Sequence, residues 1–240
     1  MKVAEDRAVA EEGIDRKHRG IFRRCTKPGA VFTFEKPMFN NMKNDFTDYG
    51  IRVFRSRHKA IRELKRLHKP SLHGFRVWPS SWLLIDYCKC MPLTRSSKIL
   101  DIGCGWGLAG IYCAKNHSSI VTCVDRDSEV FPYVRLHAMI NNVDISTMEA
   151  GFEELSGKQM KSNEIMIGSD ICFWDEMVEI LKNLILRAFE SGIKTVIIAD
   201  PGRTSFESLG RYFLEKGRGK IMNWDITHPH YIQGRILKIS

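Results

Sequence analysis

The stretch Lys98-Ile-Leu-Asp101-Ile-Gly103-Cys-Gly105-Trp-Gly107-Leu-Ala-Gly110 restricts this 240-residue chain more than any other. An apolar run that ends in an acid and gives way to alternating glycines predicts a buried strand turning tightly into a helix. Glycines at 103, 105 and 107 let the backbone take left-handed conformations and present amides with no side chain in front of them, so a ligand can approach the turn. A dinucleotide fingerprint would place its third glycine at 108, which is Leu108, and Asp101 would repel the pyrophosphate that such a loop holds. The next apolar run, Ile120 to Val124, ends in Asp125, near the spacing at which an acid grips a ribose hydroxyl pair. One carboxylate suits a ribose and the other a cation.

A nucleoside with an ammonium and a sulfonium in place of phosphates, S-adenosyl-L-methionine, meets both demands. Asp101 to Gly107 followed by Asp125 resembles the glycine-rich and second acidic motifs of class I, seven-stranded methyltransferases. The resemblance covers about residues 75–240. It implies a Rossmann-like α/β fold, a doubly wound seven-stranded sheet that is mostly parallel with an antiparallel C-terminal hairpin. It also implies that Asp101, Gly103, Gly105, Trp106, Gly107, Asp125 and Arg126 hold S-adenosyl-L-methionine.

Further likenesses narrow the acceptor. Val77-Trp78-Pro79-Ser80 resembles the entry motif of methyltransferases that modify lysines in proteins, where the tryptophan lies near the cofactor. The residues after the short strand Thr147 to Ala150 are implied to lie beside adenine, so Phe152 either stacks on the base or packs into the core. Gly168-Ser169-Asp170-Ile-Cys-Phe173 is similar to the Gly-Ala-Asp strand end of protein lysine methyltransferases, with Phe173 where a tyrosine is often found. This makes Asp170 and Phe173 the catalytic candidates and Ser169 a cofactor contact. Together with Trp174-Asp175-Glu176 and Asp200-Pro-Gly-Arg203, the segment resembles the electron-transfer-flavoprotein beta-subunit lysine methyltransferase branch.

The expected function is therefore methyl transfer from S-adenosyl-L-methionine to a lysine of a protein substrate. A small-molecule N-methyltransferase is the alternative within enzymes. Base methylation of nucleic acid is disfavoured, because Ser169-Asp170-Ile-Cys-Phe173 replaces the Asn/Asp-Pro-Pro-aromatic motif of those enzymes. A different class is a non-catalytic adaptor that binds an acidic partner or nucleic acid through residues 51–76. Charge motivates it: residues 51–76 carry 9 Lys/Arg against 1 Asp/Glu, whereas residues 77–240 carry 18 against 19.

Ahead of the expected methyltransferase domain at 75–240, residues 1–74 read as an accessory segment. Val31 to Phe34 alternates as a short strand would and is expected to pair with Ile51 to Phe54. From Ser56 to His68 the residues Ala60, Ile61, Leu64 and Leu67 fall on one helical face, opposite Arg57, Lys59, Arg62, Lys65 and Arg66. Helices are further expected over Trp82 to Tyr87, Ser128 to Asn141, Glu176 to Ser191 and Ser205 to Glu215. Strands are expected at Thr195 to Ala199, Lys220 to Asp225 and Arg235 to Ile239.

Seven scattered cysteines suggest buried thiols of a reducing compartment, and Cys88 and Cys90 are too close in sequence for the usual metal or redox pair. His228-Pro-His230 is expected to be a loop and not a metal site. No apolar run is long enough for a membrane span, and Met1 to Gly20 lacks the apolar core of a secretion signal, so a cytoplasmic location is expected.

Overall fold

Strands that are apolar on both faces need cover on both sides, and Lys98–Ile102 (β3) shows the consequence: Ile99 packs among one set of helices, Leu100 and Ile102 among another. The computed structural model describes residues 44–71, 73–227 and 231–240. The same alternation runs through Ile120–Asp125 (β4), Ile165–Ser169 (β6) and Thr195–Asp200 (β7), while Ile145–Glu149 (β5) is a half-buried edge. These five strands pair in parallel in the order β5-β4-β3-β6-β7. Ile232–Ile239 (β9) adds antiparallel to β7, and Gly219–Ile226 (β8) adds antiparallel to β9, completing the expected seven strands.

Pro79–Cys90 (α2), Leu108–His117 (α3) and Phe131–Asn141 (α4) cover one face of the sheet. Gly157–Met160 (α5), Glu176–Glu190 (α6) and Thr204–Glu215 (α7) cover the other. α2 begins with Pro79, whose missing amide costs nothing in a first turn, and buries Leu83, Leu84, Ile85 and Tyr87 almost all round. α6 is one-sided, with Leu181, Leu184, Ile185 and Ala188 inward. Because α3 leaves β3 toward one face and α6 leaves β6 toward the other, a crevice opens over the carboxyl ends of these neighbouring strands.

The segment before α2 adds a strand that the sequence reading did not propose and departs from that reading at the end of its helix. Ile51–Phe54 (β2) pairs with Asp45–Asp48 (β1), joined by the two-residue turn Tyr49-Gly50 with positive φ at both positions (52° and 75°). The expected partner, Val31 to Phe34, lies outside the described residues, as do Met1 to Gly20 and His228-Pro-His230. Lys59–Leu67 (α1) buries Ile61 and Leu64 as expected, but Leu67 is 51% exposed, because the chain turns to extended backbone at His68 and ends the packed face there. Ile51 and Val53 join the same apolar cluster as α2, α3 and α4. Asp86 of α2 fastens the hairpin by accepting from Tyr49 Oη at 2.9 Å, and β8 by accepting from Trp224 Nε1 at 2.8 Å.

Candidate active site

The crevice is floored by the turn that follows β3. Gly103, Gly105 and Gly107 take φ of 59°, 52° and 72°, the left-handed region that a side chain disfavours. A Cβ on Gly105 would meet nothing within 4 Å, so the loop faces open space there. A Cβ on Gly103 would come within 2.6 Å of Ile171 Cγ2 and 3.3 Å of Phe152 Cζ, which sets Phe152 at the edge of the loop. The Gly105 amide donates to Asp125 Oδ2 and the Asp127 amide to Asp125 Oδ1, both at 3.0 Å. Asp125 is thus fixed by backbone at the end of β4 and stays partly exposed; burial pushes its pKa upward in spite of those amides.

Asp101 lies deeper. It is 3% exposed, and its Oδ2 accepts from the Gly110 amide at 3.0 Å. Burial raises its pKa to about 7, against the pull of that amide and with a smaller push from the Asp125 charge. Gly110 is needed for this contact, since a Cβ there would stand 3.0 Å from Asp101 Oδ2 and 2.9 Å from Val121 Cγ1. The close helix-to-strand approach that a dinucleotide loop assigns to position 108 is made here at 110.

Trp106 turns into α4, where it stacks on Tyr133 (centroids 5.1 Å, 15°) and His137 (5.3 Å, 26°), and its Nε1 donates to Gly74 O at 3.0 Å. The chain before α2 is tied to the same region. Tyr133 Oη donates to His68 O at 3.1 Å, and the Ser71 amide and hydroxyl both donate to Asp127 Oδ2.

On the β6 side, Ser169 Oγ lies 3.1 Å from Ser81 Oγ of α2. Asp170 follows in a left-handed conformation (φ 55°), 5% exposed, with its amide donating to Ala199 O. Its Oδ2 accepts from the Ser80 amide at 3.3 Å in the first turn of α2, where the helix dipole favours a negative charge. Its Oδ1 accepts from Arg203 at 2.7 Å, and the same guanidinium donates to Asp200 Oδ2 at 2.7 Å. Burial works against the charge of Arg203, but bonds to Asp170 and then Asp200 carry its pKa up. Burial pushes Asp200 up even though two backbone amides and Arg203 stabilise its charge. The Arg203 guanidinium also sits 4.6 Å from the centre of the Phe173 ring.

Phe173 belongs to an aromatic rim. It stacks on His73 (4.5 Å, 26°) and meets Trp78 edge-on at 6.0 Å, and Trp174 beside it is 56% exposed. Trp78 Nε1 donates to His73 O at 2.7 Å, and the Arg76 guanidinium covers the Trp78 ring at 3.9 Å.

The fold therefore gathers the sequence-derived residues into two groups. Gly103, Gly105, Asp125 and Phe152 line the β3 and β4 side, and Trp78, Ser169, Asp170 and Phe173 line the β6 side. Asp101 and the Trp106 ring point toward α3 and α4, Gly107 packs against Val134 and Cys123, and Arg126 is exposed with its stem near Gly151. Sequence reading passed over Arg203 and Gly110. Arg203 entered only as the end of the Asp200-Pro-Gly-Arg203 segment of the resemblance, with no role of its own, because its pairing with Asp170 depends on β6 and β7 being neighbours.

Residues 77–167 match the methyltransferase small domain family. The chain is similar to the electron transfer flavoprotein beta subunit lysine methyltransferase of Xenopus laevis, 29% identical over 132 residues, which is 55% of this chain and 53% of that protein. It is also similar to the histidine protein methyltransferase 1 homolog of Dictyostelium discoideum, 34% identical over 127 residues, which is 50% of this chain and 41% of that protein. The chain thus spans about half the length of the curated relatives it matches. Among solved structures, precorrin-6y C5,15-methyltransferase of Geobacter metallireducens superposes with a TM-score of 0.54 at 8% identity, over 73% of this chain and 94% of that one, a likeness of fold. Family and fold together imply S-adenosylmethionine as the methyl donor. The open left-handed loop at Gly105 beside the Asp125 carboxylate fits that group, because it leaves a space free of side chains next to a ribose acceptor that the Gly105 amide fixes in place.

Proposed function

Taking residues 77–167 as a methyltransferase small domain, we propose that this chain transfers a methyl group from S-adenosylmethionine to a nitrogen of a protein side chain, in first place a lysine. The observation that carries the reading is the juxtaposition of the open Gly105 loop and Asp125 with a carboxylate, Asp170, set at the next strand end behind an aromatic rim. When bound, the cofactor supplies a methyl group activated by its sulfonium. Asp125 would accept from the ribose hydroxyls, the amides of residues 103–107 would border the amino-acid part, and Phe152 would pack beside the base.

The role of Asp170 follows from its surroundings. A carboxylate already held by Arg203 and by a helix amide is fixed in position, so its part is to hold and orient an acceptor N–H. The proton of a lysine ammonium would then leave to solvent before the nitrogen attacks. Histidine is the second reading, since an imidazole is planar and mostly neutral at pH 7, and the rim of His73, Trp78 and Phe173 suits a ring. A cytoplasmic setting is proposed with this activity, on the free thiols of the six described cysteines.

Calorimetry with S-adenosylmethionine tests the loop assignment. Asp125→Ala removes a charge-assisted bond and should weaken binding by about 1.5–3 kcal/mol, roughly 10- to 150-fold. Wild-type affinity in that variant would contradict the assignment.

A further inference from the structure

The basic excess of residues 51–76 is not spread evenly over a solvated helix. Among the described residues, Arg52 pairs with Asp45 and Arg66 with Glu63. The exposed Arg55, Arg57 and Arg76 make no ion pair among the described residues, and all three stand around one groove of about 850 Å³. Its apolar lining includes Phe46 and Val53 of the hairpin, Val77 and Pro79 at the entrance to α2, and Ile232 of β9. Lys59 and Arg62 on the exposed side of α1 extend the same positive field.

The groove adjoins the aromatic rim of the proposed acceptor site through Arg76. Arg76, which lines it, covers the Trp78 ring at 3.9 Å; Trp78 meets Phe173, and Arg203 lies over Phe173 while it holds Asp170. Trp106 of the cofactor loop lines the groove as well. A chain lying in the groove would therefore lead a side chain past the aromatic rim toward Asp170.

We propose that this groove docks an acidic segment of the protein substrate, with carboxylates against Arg55, Arg57 and Arg76 and an apolar side chain on the floor between them. The proposal rests on the methyl-transfer reading only in calling the partner a substrate. Charge complementarity favours an acidic partner, and the shape of the charge favours polypeptide over nucleic acid. A phosphate backbone presents a charge every few ångströms and calls for an extended basic track, whereas residues 77–240 are balanced at 18 basic against 19 acidic. A volume of this size with mixed aliphatic and aromatic walls also suits apolar side chains.

The test titrates the full chain with a short fluorescent glutamate-rich peptide carrying one phenylalanine, and with a single-stranded oligonucleotide of matched charge. The triple variant Arg55→Gln, Arg57→Gln, Arg76→Gln is compared with a control triple, Lys158→Gln, Lys161→Gln, Lys220→Gln, which removes the same charge away from the groove. The expected result is peptide binding that weakens by about tenfold or more in the groove variant, stays at the wild-type level in the control, and falls with added salt. Absence of peptide binding, equal loss in both triples, or tighter binding of the oligonucleotide with loss in the groove variant would each overturn it. S-adenosylmethionine affinity of the wild type, measured on the same samples, separates the two readings: its absence would remove the methyl-transfer reading without touching the docking result.

Discussion

At Gly105 the backbone holds a φ of 52° beside open space, so the two consequences of adding a side chain can be told apart. Alanine there costs the fold about 1–2 kcal/mol of left-handed strain, a fall in Tm of about 2–8 °C for a domain of this size. The larger effect should be on the ligand: Gly105→Ala is expected to weaken S-adenosylmethionine binding by at least about tenfold, because its methyl group enters space otherwise left to the cofactor. Calorimetry beside thermal melting reads both numbers. Asp170 allows a similar separation, since asparagine tolerates the left-handed conformation that Asp170 adopts. Asp170→Asn should lower turnover by about 10² or more if the carboxylate orients the acceptor, with cofactor affinity within a few-fold. Some loss of Tm is expected too, because Arg203 loses one of its two buried acids. Full turnover per folded molecule would assign Asp170 to stability alone. Asp101 adds a pH signature. Its folded pKa of about 7 stands above the ordinary 3.8, so the fold's preference for the protonated acid is complete below about pH 4 and is lost as pH rises toward 7. Asp101→Asn should flatten that part of the curve of Tm against pH, and an unchanged slope would show that another group carries it.

At the scale of elements, Asp86 has the widest reach, because one carboxylate receives the hairpin through Tyr49 and the antiparallel edge through Trp224. Asp86→Ala leaves each of those donors without its acceptor, at about 1–3 kcal/mol for a donor that burial keeps from water, whereas Tyr49→Phe should cost only about 1 kcal/mol. Urea unfolding midpoints in that order are expected, and equal midpoints would mean that water replaces Asp86. Such links are what the sequence does not display. The parallel strands were legible because burial on both faces leaves unbroken apolar runs, as in Thr195–Asp200, and α6 was legible because its apolar residues keep helical spacing. α2 was only half visible: surrounded by β7, β9, α3 and β6, it is apolar with no single face to mark its length. β1 went unseen because Asp45-Phe-Thr-Asp48 is acidic at both ends and owes its pairing to the tight Tyr49-Gly50 turn, not to its composition. In the site, the glycine loop and Asp125 could be read from local spacing. The Asp170 to Arg203 pair could not, because 33 residues and a complete helix separate its partners in sequence.

For the molecule as a whole, the sheet brings an open glycine loop and an acid paired with an arginine to the carboxyl ends of neighbouring strands, and a basic groove adjoins them through Arg76. Among the described residues no helix is long and apolar enough to cross a membrane. Positive charge concentrated at the groove predicts that transfer to a macromolecule is more sensitive to salt than cofactor binding is, since long-range attraction between exposed charges is screened over about 8 Å at physiological ionic strength. The central claim is methyl transfer to protein, and the measurement that meets it most directly is transfer of a labelled methyl group from S-adenosylmethionine into a lysate. Samples are then treated with nuclease or protease, and the labelled residue is identified by mass spectrometry. The account predicts label that survives nuclease, disappears with protease, maps to a lysine or histidine nitrogen, and is lost with Gly105→Ala. Label that nuclease removes, label confined to small molecules, or no transfer by a chain that binds the cofactor would contradict it.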